Sequence, residues 1–131
     1  MTNPLSKELN HCYSLLFTGE NELKFGCPNK ALLCFENCRK MAEEEISKNP
    51  VYAHTLMRSA RKECQLLQEN GLFRRAYKVL AKVEKYIEHS EASTEKLLIY
   101  SMLYSLSSKF APSHKEDFEA KLNKIVTKLD S

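Results

Sequence analysis

Helix-breaking residues fall at only a few points in this chain, and the intervals between them have the lengths of ordinary helices. Three glycines and four prolines serve all 131 residues. They stand at Pro4, Gly19, Gly26, Pro28, Pro50, Gly71 and Pro112. Glycine admits a left-handed backbone and proline lacks an N–H, so these residues punctuate local structure. Between the breaks, apolar residues recur every three or four positions, which places them on one helical face. No stretch shows the strict alternation of a half-buried strand. The expected fold is all-α, with about six helices.

The punctuation sets the expected boundaries. Asn3 reads as a cap with Pro4 at the first helical position, opening a helix to about Thr18 with Leu5, Leu9, Cys12, Tyr13 and Leu16 on its apolar side. Residues 18–29, which hold Gly19, Gly26 and Pro28, read as the most loop-like piece, with room for a helical turn over 21–25. A second helix is expected over about 28–48, stopped by Asn49-Pro50, and a third from there to Asn70-Gly71. The fourth carries Phe73, Ala76, Tyr77, Leu80, Val83 and Ile87 and fades near His89. Ser90 or Ser93 caps the fifth, which is apolar on nearly every side through Phe110 and must be central in the fold or covered by another chain. After Pro112, Ser113 and Glu116 have the spacing of a capping box opening a sixth helix. Short connections make sequential helices neighbours. Residues 1–131 are therefore expected to form a single domain of three antiparallel helix pairs, at about 3–48, 50–89 and 91–130.

Composition narrows the function classes. Hydrophobics at 43% and charged residues at 28% are those of an ordered globular chain, and a net charge of +3 is too mild to imply a polyanion partner by itself. The most apolar stretch, Leu97 to Leu106, is too short for a bilayer, which needs about 20 residues. No secretory pattern opens the chain. Cys12, Cys27, Cys34, Cys38 and Cys64 form an odd set, read as free thiols in a reducing compartment. A cytoplasmic or nuclear, intracellular location is expected.

Two of the pairs share an internal spacing. Gly71, Phe73, Ala76, Leu80 and Val83 correspond, at an offset of 45 residues, to Gly26, Pro28, Ala31, Phe35 and Cys38. Glycine permits the tight turn, the alanine lets two helix backbones approach, and the large residue one turn later fills the gap. This pattern resembles the second half of a tetratricopeptide repeat, most clearly over residues 57–87 and more weakly over 26–41. Cys64 stands where the family has a small residue, and the 45-residue spacing exceeds the family's usual ~34. The resemblance implies a right-handed stack of helix pairs, the alternative being a plain helical bundle. It also implies a groove lined by the first helix of each pair, receiving a peptide or partner helix. Some members grip a C-terminal carboxylate there. The nearest analogues are Lys7, Asn10, Arg58, Arg61, Lys62 and Gln65, although the family's paired asparagines are not reproduced.

Other chemistry has little support in the residues. Cys34 and Cys38 are one helical turn apart and, with His11, Cys12 and Cys27, could face a metal, but most lie on or beside apolar stripes where a thiol packs as a small hydrophobe. No nucleophile elbow, zinc-protease motif or phosphate-binding glycine loop is present, so neither an enzyme nor a cofactor is expected. Between Arg58 and Lys85, eight basic residues meet three acidic ones, which keeps a nucleic-acid surface on helices three and four as an alternative. Tyr100, Met102, Leu103, Tyr104 and Phe110 on the fifth helix are candidate partner contacts or a dimer face, since interfaces are enriched in Tyr, Phe and Met. The leading expectation is an adaptor or assembly subunit that binds another protein, without a membrane.

Overall fold

The computed structural model describes the backbone of residues 4–131 and the side chains of residues 7–131. The expected Asn3 cap and the burial of Leu5 lie outside the described residues. Six α-helices follow one another: α1 (Pro4–Lys24), α2 (Pro28–Glu45), α3 (Tyr52–Glu69), α4 (Phe73–Ile87), α5 (Thr94–Phe110) and α6 (Lys115–Leu129), with a 3-10 turn at Pro112–His114. No strand occurs among the described residues.

Each helix packs on the next, and α3 also touches α1 and α5. The odd-numbered helices therefore form one layer and the even-numbered helices a second. Ion pairs tie the second layer together: Glu36 to Arg75 at 3.6 Å and Glu43 to Lys82 at 3.5 Å join α2 to α4, and Lys121 joins α6 to Glu84 of α4 and to Glu88 just past its end. The three expected helix pairs are thus stacked, and their apolar faces meet in one core running from Cys12 to Ile125.

The turns at Gly26 and Gly71 are copies of one device. Both glycines have φ of +76°, which a side chain would strain. The N–H one residue later reaches back five positions, from Cys27 to Glu22 at 2.7 Å and from Leu72 to Leu67 at 2.8 Å. That 6→1 bond satisfies carbonyls the helix leaves open and reverses the chain within three residues.

The expected end of the first helix at Thr18 is overturned. Helix α1 continues through Gly19 to Lys24, and the expected loop over 18–29 shrinks to residues 25–27. Gly19 is buried, and a Cβ built there would lie 2.6 Å from Cε1 of Phe35, whose ring is fully buried. Glycine here is a gap for a neighbour's ring. The helix tolerates its cost of about 1 kcal/mol relative to alanine because α1 and α2 gain the contact. Cys64 and Ser107 occupy the matching place in α3 and α5, 45 and 43 residues further on, and both are fully buried.

Three smaller boundaries also differ. Helix α2 stops at Glu45 rather than near Lys48, and the Asn49 carboxamide accepts the Val51 N–H at 3.0 Å in the turn before α3. Ser93, not Ser90, caps α5, accepting the Lys96 N–H at 3.1 Å. The expected Ser113–Glu116 capping box does not form, because Pro112–His114 winds as a 3-10 turn that places His114 at the cap position.

A buried ionic cluster bridges α2 and α3. The Arg39 guanidinium donates to both oxygens of Glu63, and to both oxygens of Glu43 at 3.1 and 3.2 Å. All three residues are under 8% exposed. Charges so far from water persist only when paired and hydrogen-bonded. Burial pushes the Glu63 carboxyl above its usual range, against the opposing pull of Arg39.

Candidate protein-binding face

Helices α1, α3 and α5 present the layer on which a partner was expected. The cations of α3 are tied to carboxylates of the neighbouring helices α1 and α5. Arg58 holds Glu20 of α1 through Nη2 at 2.8 Å and Nε at 3.0 Å, and Lys62 approaches the same carboxylate at 3.7 Å. Arg61 makes a bidentate pair with Glu95 of α5, at 2.8 and 2.9 Å, and reaches Gln65 at 3.5 Å. These pairs run from helix to helix along the layer, so the positive charge of α3 is largely compensated.

Two clefts open beside α3. One, of about 540 Å³, lies between the start of α3 (His54 and Met57, with Val51 just before it) and the α4–α5 connection (His89, Ser90, Ala92). The other, of about 310 Å³, is walled by Arg61, Gln65 and Gln68 of α3 and by Leu98, Ser101 and Met102 of α5. The Arg61–Glu95 pair belongs to the seam between α3 and α5. Leu98 is 37% exposed, a large apolar side chain at the mouth of the second cleft.

The partner residues expected from the sequence divide. Arg58, Arg61, Lys62 and Gln65 are brought together on α3, whereas Lys7 and Asn10 are exposed on the first turns of α1. Tyr100 is a correction: it is 1% exposed, turned toward α4 and α6, and its hydroxyl donates to Glu84 at 2.7 Å. Burial pushes its phenol well above the ordinary value. Its ring lies 6.4 Å from that of Phe118, so it is core. Tyr104 is half-buried beneath the Lys115 ammonium, 5.3 Å from the ring centre. Helix α5 is covered on three sides by α3, α4 and α6, which accounts for its apolar surround.

Met102, an expected contact, lines the second cleft, whereas Leu103, also expected, is fully buried. Leu98, Glu20 and Glu95 go beyond the sequence reading. Leu98 belongs to a run with no polar face, so periodicity does not orient it. Glu20 lay in the stretch read as loop.

The cysteines and the basic residues also sort themselves. Cys12, Cys38 and Cys64 are fully buried, with the Cys38 thiol donating to the Cys12 carbonyl at 3.3 Å. Burial pushes the Cys64 thiol up. Among the described residues no three His, Cys, Asp or Glu side chains converge as a metal site requires. The basic residues between Arg58 and Lys85 do not share one surface, since those of α3 and α4 stand in different layers. No helix of the described residues is long and apolar enough to cross a membrane. Compared with protein-family models, curated proteins and solved structures, the chain matches none.

Proposed function

We propose that this protein is a non-enzymatic interaction module of tetratricopeptide-like build, an adaptor or assembly subunit that holds a segment of another protein along the α3–α5 seam. The observation that carries the reading is the cleft of about 310 Å³ on that seam, together with one of about 540 Å³ between the start of α3 and the connection that leads into α5. Each is large enough for one or two side chains of a bound segment. Val51, Leu98 and Met102 supply apolar contact, while Gln65, Gln68 and Ser101 supply donors and acceptors for a peptide backbone. The tetratricopeptide-like build is supported by the repeated glycine turns and by the small buried residues Gly19, Cys64 and Ser107 at matching places.

The test is affinity capture from a native extract with the wild type, with Met102→Glu in the seam, and with Lys40→Glu on the outer layer. The expected result is one protein recovered by wild type and Lys40→Glu, resistant to nuclease and salt, and lost with Met102→Glu. Recovery that ignores the seam variant, or that vanishes with nuclease, overturns the reading. Self-association through α5 is read in the same samples by light scattering, where a dimer dispersed by Met102→Glu would make a second copy the occupant of the seam.

A further inference from the structure

Several cations of this chain have no carboxylate partner among the described residues, and three of them stand near one corner of the fold. Arg58, Arg61 and Lys62 on α3 are matched by Glu20 and Glu95, while Arg75 and Lys82 on α4 reach Glu36 and Glu43. Arg74 and Lys78 of α4 and Lys109 of α5 stand exposed, and none pairs with a described carboxylate within 4.0 Å. Arg74 and Lys109 gather around aromatic rings where α4 begins and α5 ends. The Arg74 guanidinium lies 5.2 Å from the centre of the Phe110 ring, and the Lys109 ammonium lies 5.5 Å from Phe110 and 5.7 Å from Phe73. Tyr77 packs against Phe110 from α4, with ring centres 6.1 Å apart. Lys78, one helical turn beyond Arg74, extends the charge along the same face of α4.

Local stability does not explain this arrangement. Arg74 occupies the first turn of α4, whose N-cap residue Leu72 makes no side-chain cap and whose first turn holds no acid. A cation there opposes the helix dipole. Exposed cations resting on rings also keep their charge, because the ring quadrupole attracts them without neutralising them. The corner is therefore a fixed positive surface beside exposed apolar groups, with Phe73 at 39% and Leu72 at 44% exposure.

We infer that this corner docks an acidic segment of a partner protein, one in which aspartate or glutamate alternates with apolar side chains. A guanidinium stacked on a ring still presents its N–H edge, which is the geometry a carboxylate takes in a bidentate pair. Phe73 and Leu72 cover the apolar members. A single nucleic-acid strand fits less well, since base stacking needs open ring faces and cations already stand over Phe73 and Phe110. The surface is independent of the α3–α5 seam, so this inference survives failure of the seam reading.

The experiment measures fluorescence anisotropy of two labelled probes on the full chain: a peptide of glutamates and leucines, and an oligouridylate of equal charge. The expected result is peptide binding tighter than oligouridylate binding, weakening with salt. Arg74→Gln combined with Lys109→Gln should lower the peptide affinity about tenfold, an effect of roughly 1.4 kcal/mol. Lys40→Gln, which removes a cation already paired with Glu36, should leave it unchanged. Far-UV circular dichroism checks the fold of each variant, and Lys78→Gln, which disturbs no ring contact, repeats the test with a smaller loss if the double variant unfolds. Absence of peptide binding, an affinity untouched by the corner variants, or tighter binding of the oligouridylate overturns the inference.

Discussion

Replacing Gly19 by alanine separates two physical accounts of the α1–α2 contact. On an exposed helix the substitution stabilises, because alanine is favoured over glycine by about 1 kcal/mol. Here the new methyl would stand 2.6 Å from Cε1 of Phe35, and 2.9 Å from its Cδ1 and Cζ. Carbon atoms rest about 3.5–4.0 Å apart, so the ring must retreat by about 1 Å. Phe35 is fully buried and cannot swing into solvent. Overpacking of this kind costs about 1–3 kcal/mol, and the upper half of that range outweighs the propensity gain. The expected net effect of Gly19→Ala is a loss of about 1 kcal/mol, near 4 °C in Tm for a chain of this length. Urea unfolding followed by circular dichroism measures it. Combining Gly19→Ala with Phe35→Leu makes room for the methyl, so the double variant should lose less than the sum of the singles by about 1 kcal/mol. A Gly19→Ala protein more stable than wild type, or a cycle with no coupling, would refute the contact as the reason for glycine.

Two further effects should follow from the buried and half-buried charges. Glu63→Leu leaves Arg39 buried with only Glu43, and should destabilise by about 3–5 kcal/mol in chemical unfolding, whereas Arg39→Met with Glu63→Leu should recover much of it; equal losses in both would contradict the pairing. Burial alone would depress Lys121, but its bonds to Glu88, Glu84 and Asp117 outweigh that and hold the ammonium up to about 12. Because the folded value lies above the unfolded one, the stabilisation is fully present below about pH 10 and is lost as pH rises through 12. Unfolding midpoints of wild type and Lys121→Gln should accordingly differ at neutral pH and converge in strong alkali, and a constant difference would argue against the network.

The helices themselves were legible because periodicity and punctuation are local. Ala31 with Phe35 and Ala76 with Leu80 announced close-packed second helices, and Gly26 and Gly71 marked turns whose positive φ the structure bears out. Gly19 reads as a breaker because nothing within α1 tells a glycine that ends a helix from one that admits a ring. Only Phe35, arriving from another helix, decides between them. Orientation failed on α5 for a related reason. When apolar residues surround a helix, spacing cannot say which of them face the core, and Tyr100 went inward while Leu98 stayed partly outside.

Charge was the least legible property. Glu20 and Arg58 are 38 residues apart, Arg61 and Glu95 are 34, and Arg39 and Glu63 are 24. Sequence counts a basic surplus between Arg58 and Lys85 but cannot say which members meet a carboxylate. What the sequence by itself determined is the helical class, the order of six helices and the glycine turns, since each depends on a residue and its near neighbours. The inward glycine, the paired cations and the unpaired basic corner were decided only by the tertiary structure, because each depends on which distant helix packs alongside.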